Sequence, residues 1–301
     1  MKKVSAGIDI GGTNTVFGWV ESNGDFIWKG KISTTDYQQP EEFVGEVSRQ
    51  LLDNLGNNEA VGVGIGAPNG NYYNSTIEFA PNLKWKGVVR LKELFNKHFD
   101  LPVLVTNDAN AAALGEMIYG GAKGVNNFIT VTLGTGLGSG IVSNGNLIYG
   151  HDAFAGELGH TIVAVDGREC GCGRKGCLET YASATGISKT AFEITQKEWT
   201  SQEVAMAANN GEKWALDAFD KTAKILGFAL SNVVAITSPR IIFLFGGLAQ
   251  AGPLIFDATR KYMEENLLEI YKNKIQILPS ALEGVDAAIL GASALVWKEI
   301  S

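Results

Sequence analysis

The chain writes one pattern twice. Residues 7–27 read GIDIGGTNTVFGWVESNGDFI, and residues 129–148 read ITVTLGTGLGSGIVSNGNLI. Each stretch is an alternating or β-branched run, a turn rich in glycine and threonine, a second run, an SNG triplet and a third run. Runs bounded in this way read as strands, and Asn-Gly is a favoured hairpin turn. The SNG triplets stand 121 residues apart. Asn-Gly alone recurs by chance. A Gly/Thr turn at the same place in both copies makes chance the weaker explanation. Two such hairpins predict two related α/β domains facing each other.

The remaining elements fit that plan. Strands are expected near 4–10, 15–21, 26–32, 60–66, 102–106, 127–133, 138–143 and 240–245. Helical periodicity marks 40–54, 88–98, 108–119, 212–236, 253–266 and 285–299. Strands alternating with helices of this length make an α/β fold. With 301 residues, 45% of them apolar, the chain can fill two cores.

The net charge of −7, with no long basic run, argues against a nucleic-acid or anionic-membrane surface as the main business. The longest apolar runs, such as IIFLF at 241–245, are too short to span a bilayer. At the N-terminus, MKKVSAGIDIGG, Asp9 interrupts before a signal h-region can form, so a cytoplasmic protein is expected.

Both Gly/Thr turns suit an anion. Glycine lets backbone N–H groups converge on a phosphate, and threonine adds a hydroxyl. Two such turns on facing domains would clamp a polyphosphate from both sides. A third glycine pair, in LFGGLAQAG at 244–252, follows a strand and precedes a helix near Pro253, a junction where a flat ring can lie against backbone. Each turn alone reads as plain hairpin structure; three together shift the balance. No GxxxxGK[ST] is present. Gly171, Gly173 and Gly176 match GxGxxG without a strand–turn–helix context. Gly62, Gly64 and Ala67 match its alanine variant, but Pro68-Asn69-Gly70 follows where a helix should start. Neither is a dinucleotide site.

All three cysteines fall in one loop, at Cys170, Cys172 and Cys177. An odd set without a secretion signal does not read as a disulfide framework. The nearest fourth ligand is His160, and one histidine with three cysteines is a complete tetrahedral zinc set. A closed set is structural. A chain with this much core needs no staple to fold, so the zinc is expected to hold one loop rigid. Glu157 in GELGH and Glu179 in CLET flank the cysteines. Carboxylates on a rigid frame accept hydrogen bonds from vicinal hydroxyls, so the loop reads as a plate for a polyol.

VTNDANAAALGE, residues 105–116, runs from a strand into an alanine-rich helix and places Asp108 at the expected N-cap. Capping alone is the simplest role for it. The carboxyl end of a strand is also where open α/β sheets bind ligands. Beside a phosphate clamp and two glutamates, Asp108 would accept the proton of a hydroxyl in phosphoryl transfer.

Together these stretches resemble the ROK family of sugar kinases and sugar-responsive repressors, in the actin–hexokinase superfamily. IDIGGTNTVFG resembles the family's first phosphate motif and TLGTGLGSG its second. NDANAAALGE resembles the catalytic stretch, GELGH with CGCGRKGCLE the zinc signature, and LFGGLAQAG the adenosine motif. The resemblance implies two ribonuclease-H-like domains with a cleft between them: a smaller one, 1–116 completed by a C-terminal helix 285–301, and a larger one, 117–284, with the zinc loop. It implies Asp108 as general base and Asn107 as a sugar ligand. Glu157, His160 and Glu179 would hold the other hydroxyls, with His160 also on the zinc beside Cys170, Cys172 and Cys177. Asp9 would lie near Mg2+. Gly11, Gly12, Thr13, Asn14, Gly134, Thr135 and Gly136 would line the phosphates of ATP, and Gly246 and Gly247 its adenosine.

The implied activity is ATP-dependent phosphorylation of a hexose at its 6-hydroxyl, with glucose expected, by a chain that often pairs as a homodimer. N-acetylglucosamine, N-acetylmannosamine and fructose remain open. GAPNG carries Asn69 where relatives often have the glycine of Gly-x-Pro-Gly, in a region that approaches the sugar in relatives. A sugar-sensing repressor is the other class. Such relatives carry an N-terminal DNA-binding domain, for which the phosphate motif at residue 8 leaves no room.

Overall fold

The computed structural model describes residues 1–282 and 284–300. The chain opens with β1 (Lys3–Ile10), β2 (Asn14–Glu21) and β3 (Phe26–Ser33), an antiparallel meander. Helix α1 (Pro40–Asp53) starts on a proline at its first turn, with Glu41 and Glu42 beside it. β4 (Glu59–Gly66) follows. Three short strands, β5 (Gly70–Asn71), β6 (Thr76–Glu78) and β7 (Val88–Val89), then form a small separate sheet. Helix α2 (Leu91–Phe95), β8 (Val103–Thr106) and α3 (Asp108–Ile118) complete this part. The helix expected over 88–98 is thus shorter. The β-branched pair Val88-Val89 is drawn into a strand against Ile77 and Glu78.

The second copy begins with β9 (Phe128–Leu133), β10 (Leu137–Ser143) and β11 (Asn146–Leu147). Helices α4 (Ala184–Thr195), α5 (Ser201–Asn209) and α6 (Lys213–Thr237) precede β12 (Ile241–Phe245). Helix α7 (Pro253–Asn266), β13 (Gln276–Pro279) and α8 (Gly284–Ile300) end the chain.

The duplication holds at the level of topology. One sheet runs β3-β2-β1-β4-β8 and the other β11-β10-β9-β12-β13. In each, a meander is extended by two strands parallel to its first. The second SNG turn has Asn144 at φ 51° and Gly145 at φ 74°. Those values are why Asn-Gly is the residue pair there: both central positions of the turn need positive φ.

By internal packing the chain divides into two units. One comprises Met1–Val125, Leu147–Ala155 and the segment from Ala281; the other comprises Asn126–Asn146 and Gly156–Ser280. The divisions differ from those expected at 116 and 284, and residue 301 of the expected C-terminal helix lies outside the described residues. The reason is side-chain anchoring. The buried Glu116 accepts hydrogen bonds from the backbone of Gly121 at 2.8 Å and Ala281 at 3.0 Å, which holds both segments to α3. Tyr149 stacks on Tyr72 at 4.0 Å, and Asn71 donates to the Asp152 carbonyl at 3.1 Å, which carries 147–155 into the first unit.

Within the first unit α8 lies directly on the sheet. A Cβ at Gly64 would stand 2.0 Å from the Ala292 carbonyl oxygen, and one at Gly7 2.1 Å from that of Ile289. Gly62 faces Val296 in the same way. These glycines serve helix packing, which explains why GVGIGA imitates a nucleotide motif without being one. The second unit has its own core, with Ile129, Val131, Phe219, Leu226, Ile242 and Ile255 at its centre.

Candidate active site

In the first unit, β1, β4 and β8 are parallel and end together. Asp9 pairs in register with Gly66, and Gly66 with Thr106. The carboxyl ends of parallel strands are where open α/β sheets bind ligands. Asp108 follows Thr106 by two residues. A Cβ on Gly66 would stand 3.6 Å from Asp9 Oδ1 and 3.8 Å from the Asp108 Cα, so the two acids flank this glycine.

The cap of α3 is Asn107, not Asp108. Asn107 Oδ1 accepts the Asn110 N–H at 2.6 Å, while Asp108 is the first helical residue and accepts the Ala109 N–H, at 2.8 Å. Asparagine is as good a cap as aspartate, and it stands one position earlier. The Asp108 side chain is solvent-exposed on one side. Burial among the surrounding protein nonetheless raises its pKa, against the lowering effect of the Ala109 N–H. Asp9 is pushed up to about 7, by burial first and then by the Asp108 charge. Two acids this close resist ionising together.

The first Gly/Thr turn is tight. The Gly11 N–H bonds the Asn14 carbonyl at 3.0 Å, and the Thr34 N–H bonds that of Thr13 at 2.8 Å. A Cβ at Gly11 would meet Asn14 O at 2.7 Å, and one at Gly12 would meet Asn82 O at 2.8 Å. Both glycines therefore have a packing reason, while Thr13 and Asn14 are exposed at the tip. Asn69 sits at φ 52°, a conformation that suits glycine, and its amide donates to the Glu78 carbonyl at 2.9 Å. The departure from Gly-x-Pro-Gly is thus built into the loop.

In the second unit β9 and β12 are parallel and end at one edge, with Thr132 paired to Phe245. The turn after each strand meets there: a Cβ at Gly246 would lie 2.7 Å from Leu133 O and 3.1 Å from Gly134 N. The N-terminus of α4 joins them, as the Ala184 N–H bonds Gly134 O and Thr185 Oγ1 bonds Thr135 O, both at 2.8 Å. Among the described residues nothing stands within 4 Å of a Cβ built at Gly134 or Gly247. Neither has positive φ. With no packing or backbone reason for glycine, these two positions leave bare backbone uncovered.

The cysteine loop closes on His160. Ligand atoms of His160, Cys170, Cys172 and Cys177 all lie within 4.8 Å of one another. Cys172 and Cys177 sulfurs are 3.6 Å apart, and Cys170 Sγ is 3.7 Å from His160 Nδ1. Donors bound tetrahedrally at zinc distances stand about 3.4–3.8 Å apart, so the set fits that ion. Hydrogen bonds from Arg174 draw the Cys172 thiol pKa down, while burial pushes those of Cys170 and Cys177 up.

His160 has a second face. Its Nε2 lies 3.8 Å from Glu157 Oε2, and Nδ1 lies 3.8 Å from Glu179 Oε1. A ring that ligates through Nδ1 carries its proton on Nε2 and is a fixed donor there. Glu179 Oε1 is 3.1 Å from Cys170 Sγ, and its Oε2 accepts the Leu137 N–H at 3.4 Å. A Cβ on Gly136 would come within 2.6 Å of Glu179 Oε2. Gly136 therefore makes room for that carboxylate as well as bordering the second turn.

Two further residues carry no signal in the sequence. Asn110, on α3, is buried with no hydrogen-bond partner for its carboxamide among the described residues. Arg168, before the first cysteine, directs all its donors into the protein. Its partners lie at 180–193, a proximity that only the fold creates.

The ROK family pattern matches residues 5–299. The chain belongs to the ROK family. A glucokinase of Halalkalibacterium halodurans is 33% identical, over 97% of this chain and 94% of its own length. A xylose repressor of Bacillus spizizenii is 32% identical over 78% of this chain and 61% of its own length. The crystal structure of a ROK family glucokinase from Streptomyces griseus, in complex with glucose and AMPPNP, is 31% identical. It matches 98% of this chain and 99% of its own, with a TM-score of 0.81. The actin–hexokinase-like, two-sheet α/β architecture is common to these ROK folds. Among the described residues no helix is long and apolar enough to cross a membrane.

Proposed function

We propose that this ROK protein is an ATP-dependent sugar kinase that phosphorylates glucose at its 6-hydroxyl. The observation that carries the reading is the division of labour at α3: Asn107 caps the helix and leaves the Asp108 carboxylate open for proton transfer. Asp108 accepts the 6-hydroxyl proton as that oxygen attacks the γ-phosphorus in line. Its raised pKa makes it a better base than an ordinary carboxylate, since catalytic efficiency follows basicity. Glu157 and Glu179 accept hydrogen bonds from the other hydroxyls, and the His160 Nε2–H donates one. Asn107 contributes through its amide nitrogen, since its oxygen is committed to the cap.

The backbone at Gly134, Thr135 and Gly136 and at Gly11, Gly12, Thr13 and Asn14 receives the phosphates of ATP. Gly246 and Gly247 receive the adenosine. Asp9 would hold Mg2+, which neutralises charge on the transferred phosphoryl group. Zinc on His160, Cys170, Cys172 and Cys177 would supply rigidity and no reacting group. A cytoplasmic homodimer completes the reading. The glucokinase relatives support glucose; the xylose repressor relative favours a second reading, a sugar-sensing regulator.

The test is Asp108→Asn. It keeps the shape and removes the acceptor, so kcat should fall by ~10²–10⁴ with hexose KM changed little. A variant that keeps more than about a tenth of kcat would remove Asp108 from the chemistry.

A further inference from the structure

Arg168 stands two residues before the first cysteine and is only 13% exposed. Its Nε and Nη2 grip the Glu193 carboxylate at 2.8 and 2.7 Å. Its Nη1 donates to the Thr180 carbonyl at 2.6 Å and to that of Gly186 at 3.0 Å, and Nη2 also reaches Thr190 Oγ1 at 2.9 Å. These bonds use the full set of five guanidinium donors. The planar group lies 4.5 Å above the Tyr181 ring, and the Tyr181 hydroxyl accepts the Arg168 backbone N–H at 2.9 Å.

Thr180 follows Glu179 directly, and Cys177 precedes it by two residues. The short turn Leu178–Thr180 that carries Glu179 is therefore held at both ends. Cys177, one of the four metal-set residues, holds the entry. Arg168 holds the exit and binds it to α4. The first turn of α4 is in turn bonded to Gly134 and Thr135. One guanidinium thus joins the cysteine loop, the Glu179 turn and the helix beside the second glycine turn. A planar, bidentate, stacked arginine is not replaceable by lysine in such a place.

We propose that Arg168 is a positioning residue for hexose binding, which fixes the turn carrying Glu179 at its C-terminal end, through the Thr180 carbonyl, as Cys177 does at its start. The inference rests on the sugar-kinase reading for its functional consequence and on the bonds above for its structural one. It adds to the zinc an anchor that does not depend on metal.

The experiment compares wild type, Arg168→Lys and the milder Glu193→Gln. It measures hexose and ATP KM, kcat, zinc content, melting temperature and amide hydrogen exchange over 177–183. For Arg168→Lys, glucose KM should rise at least about tenfold, since a displacement near 1 Å can cost ~10²-fold. ATP KM should stay within about threefold, the zinc should remain, and exchange at 178–183 should quicken. Glu193→Gln should show the same pattern more weakly. It also serves if the lysine variant fails to fold. A lower melting temperature with unchanged glucose KM overturns the proposal, as does unchanged exchange at 178–183. Loss of zinc in both variants also overturns it, because Arg168 would then act through the metal. If the wild type turns over no hexose, the sugar-kinase reading fails. The exchange data then decide the anchoring claim by themselves.

Discussion

Replacing Asp9 with asparagine should make the protein more stable at alkaline pH. In the folded chain the Asp9 carboxyl keeps its proton up to about 7, against 3.8 as the ordinary value. Between those two values the folded state binds more protons than the unfolded state. Stability therefore falls as pH rises through this window. Below about pH 4 the effect is absent, and above about pH 7 it is complete. A displacement of about three pH units amounts to about 4 kcal/mol at the limit, at about 1.4 kcal/mol per unit. Of this, about 2–3 kcal/mol is lost between pH 5 and pH 8. A domain of this size moves its melting temperature by about 2–4 °C per kcal/mol. Thermal unfolding of wild type and Asp9→Asn at pH 5 and pH 8, without added magnesium, measures the difference. Between those pH values the wild type should lose about 5–10 °C more than the variant. The same pH dependence in both proteins would mean that the buried charge carries no penalty. The proposed role for Asp9 adds that the stabilised variant should be a poor kinase, a common trade between stability and activity.

Stripping the metal by mild chelation, or by Cys172→Ser, should raise glucose KM sharply while far-UV circular dichroism stays near native and ATP binding changes little; global unfolding with unchanged sugar affinity would make the zinc a stability element alone. Gly136→Ala brings a methyl group within 2.6 Å of Glu179 Oε2. Because that oxygen ends a flexible side chain, the melting temperature should hardly move while glucose KM rises; a stability loss without a KM change would show that Glu179 does not touch the sugar.

The parts legible in the sequence are those whose signal is local. The two hairpins announce themselves through alternation and through their SNG triplets, where Gly24 and the pair Asn144-Gly145 take positive φ, and the meander of each sheet follows from them. The clustering of His160 with the three cysteines is legible because three thiols and one imidazole fall within eighteen residues. What is not legible depends on distant partners. Helix α4, ATGISKTAFEIT, is rich in Ser, Thr and Gly and carries a weak helical signal, yet Ser183 caps it and its buried face packs on the core. Val88 and Val89 look helical beside α2 until Ile77 and Glu78 offer them a strand. The cap of α3 falls one residue earlier than expected because Asn107 and Asp108 are equally good caps on paper. Gly62 and Gly64 imitate a nucleotide loop because helix α8, more than two hundred residues later, needs bare backbone to rest on. Arg168 gives no signal, since its partners come together only in the fold.

Everything proposed for these residues depends on phosphoryl transfer from ATP to a hexose. The direct measurement is turnover of the purified zinc-loaded chain with Mg·ATP against glucose, N-acetylglucosamine, N-acetylmannosamine, fructose and xylose. ADP formation is followed by a coupled assay, and the product's phosphate position by phosphorus NMR. A sugar kinase of this kind should show hexose-dependent ADP release, fastest with glucose, and a 6-phosphate product. Sugar binding without turnover of any member of the panel would contradict it and leave a sugar-sensing regulator in its place.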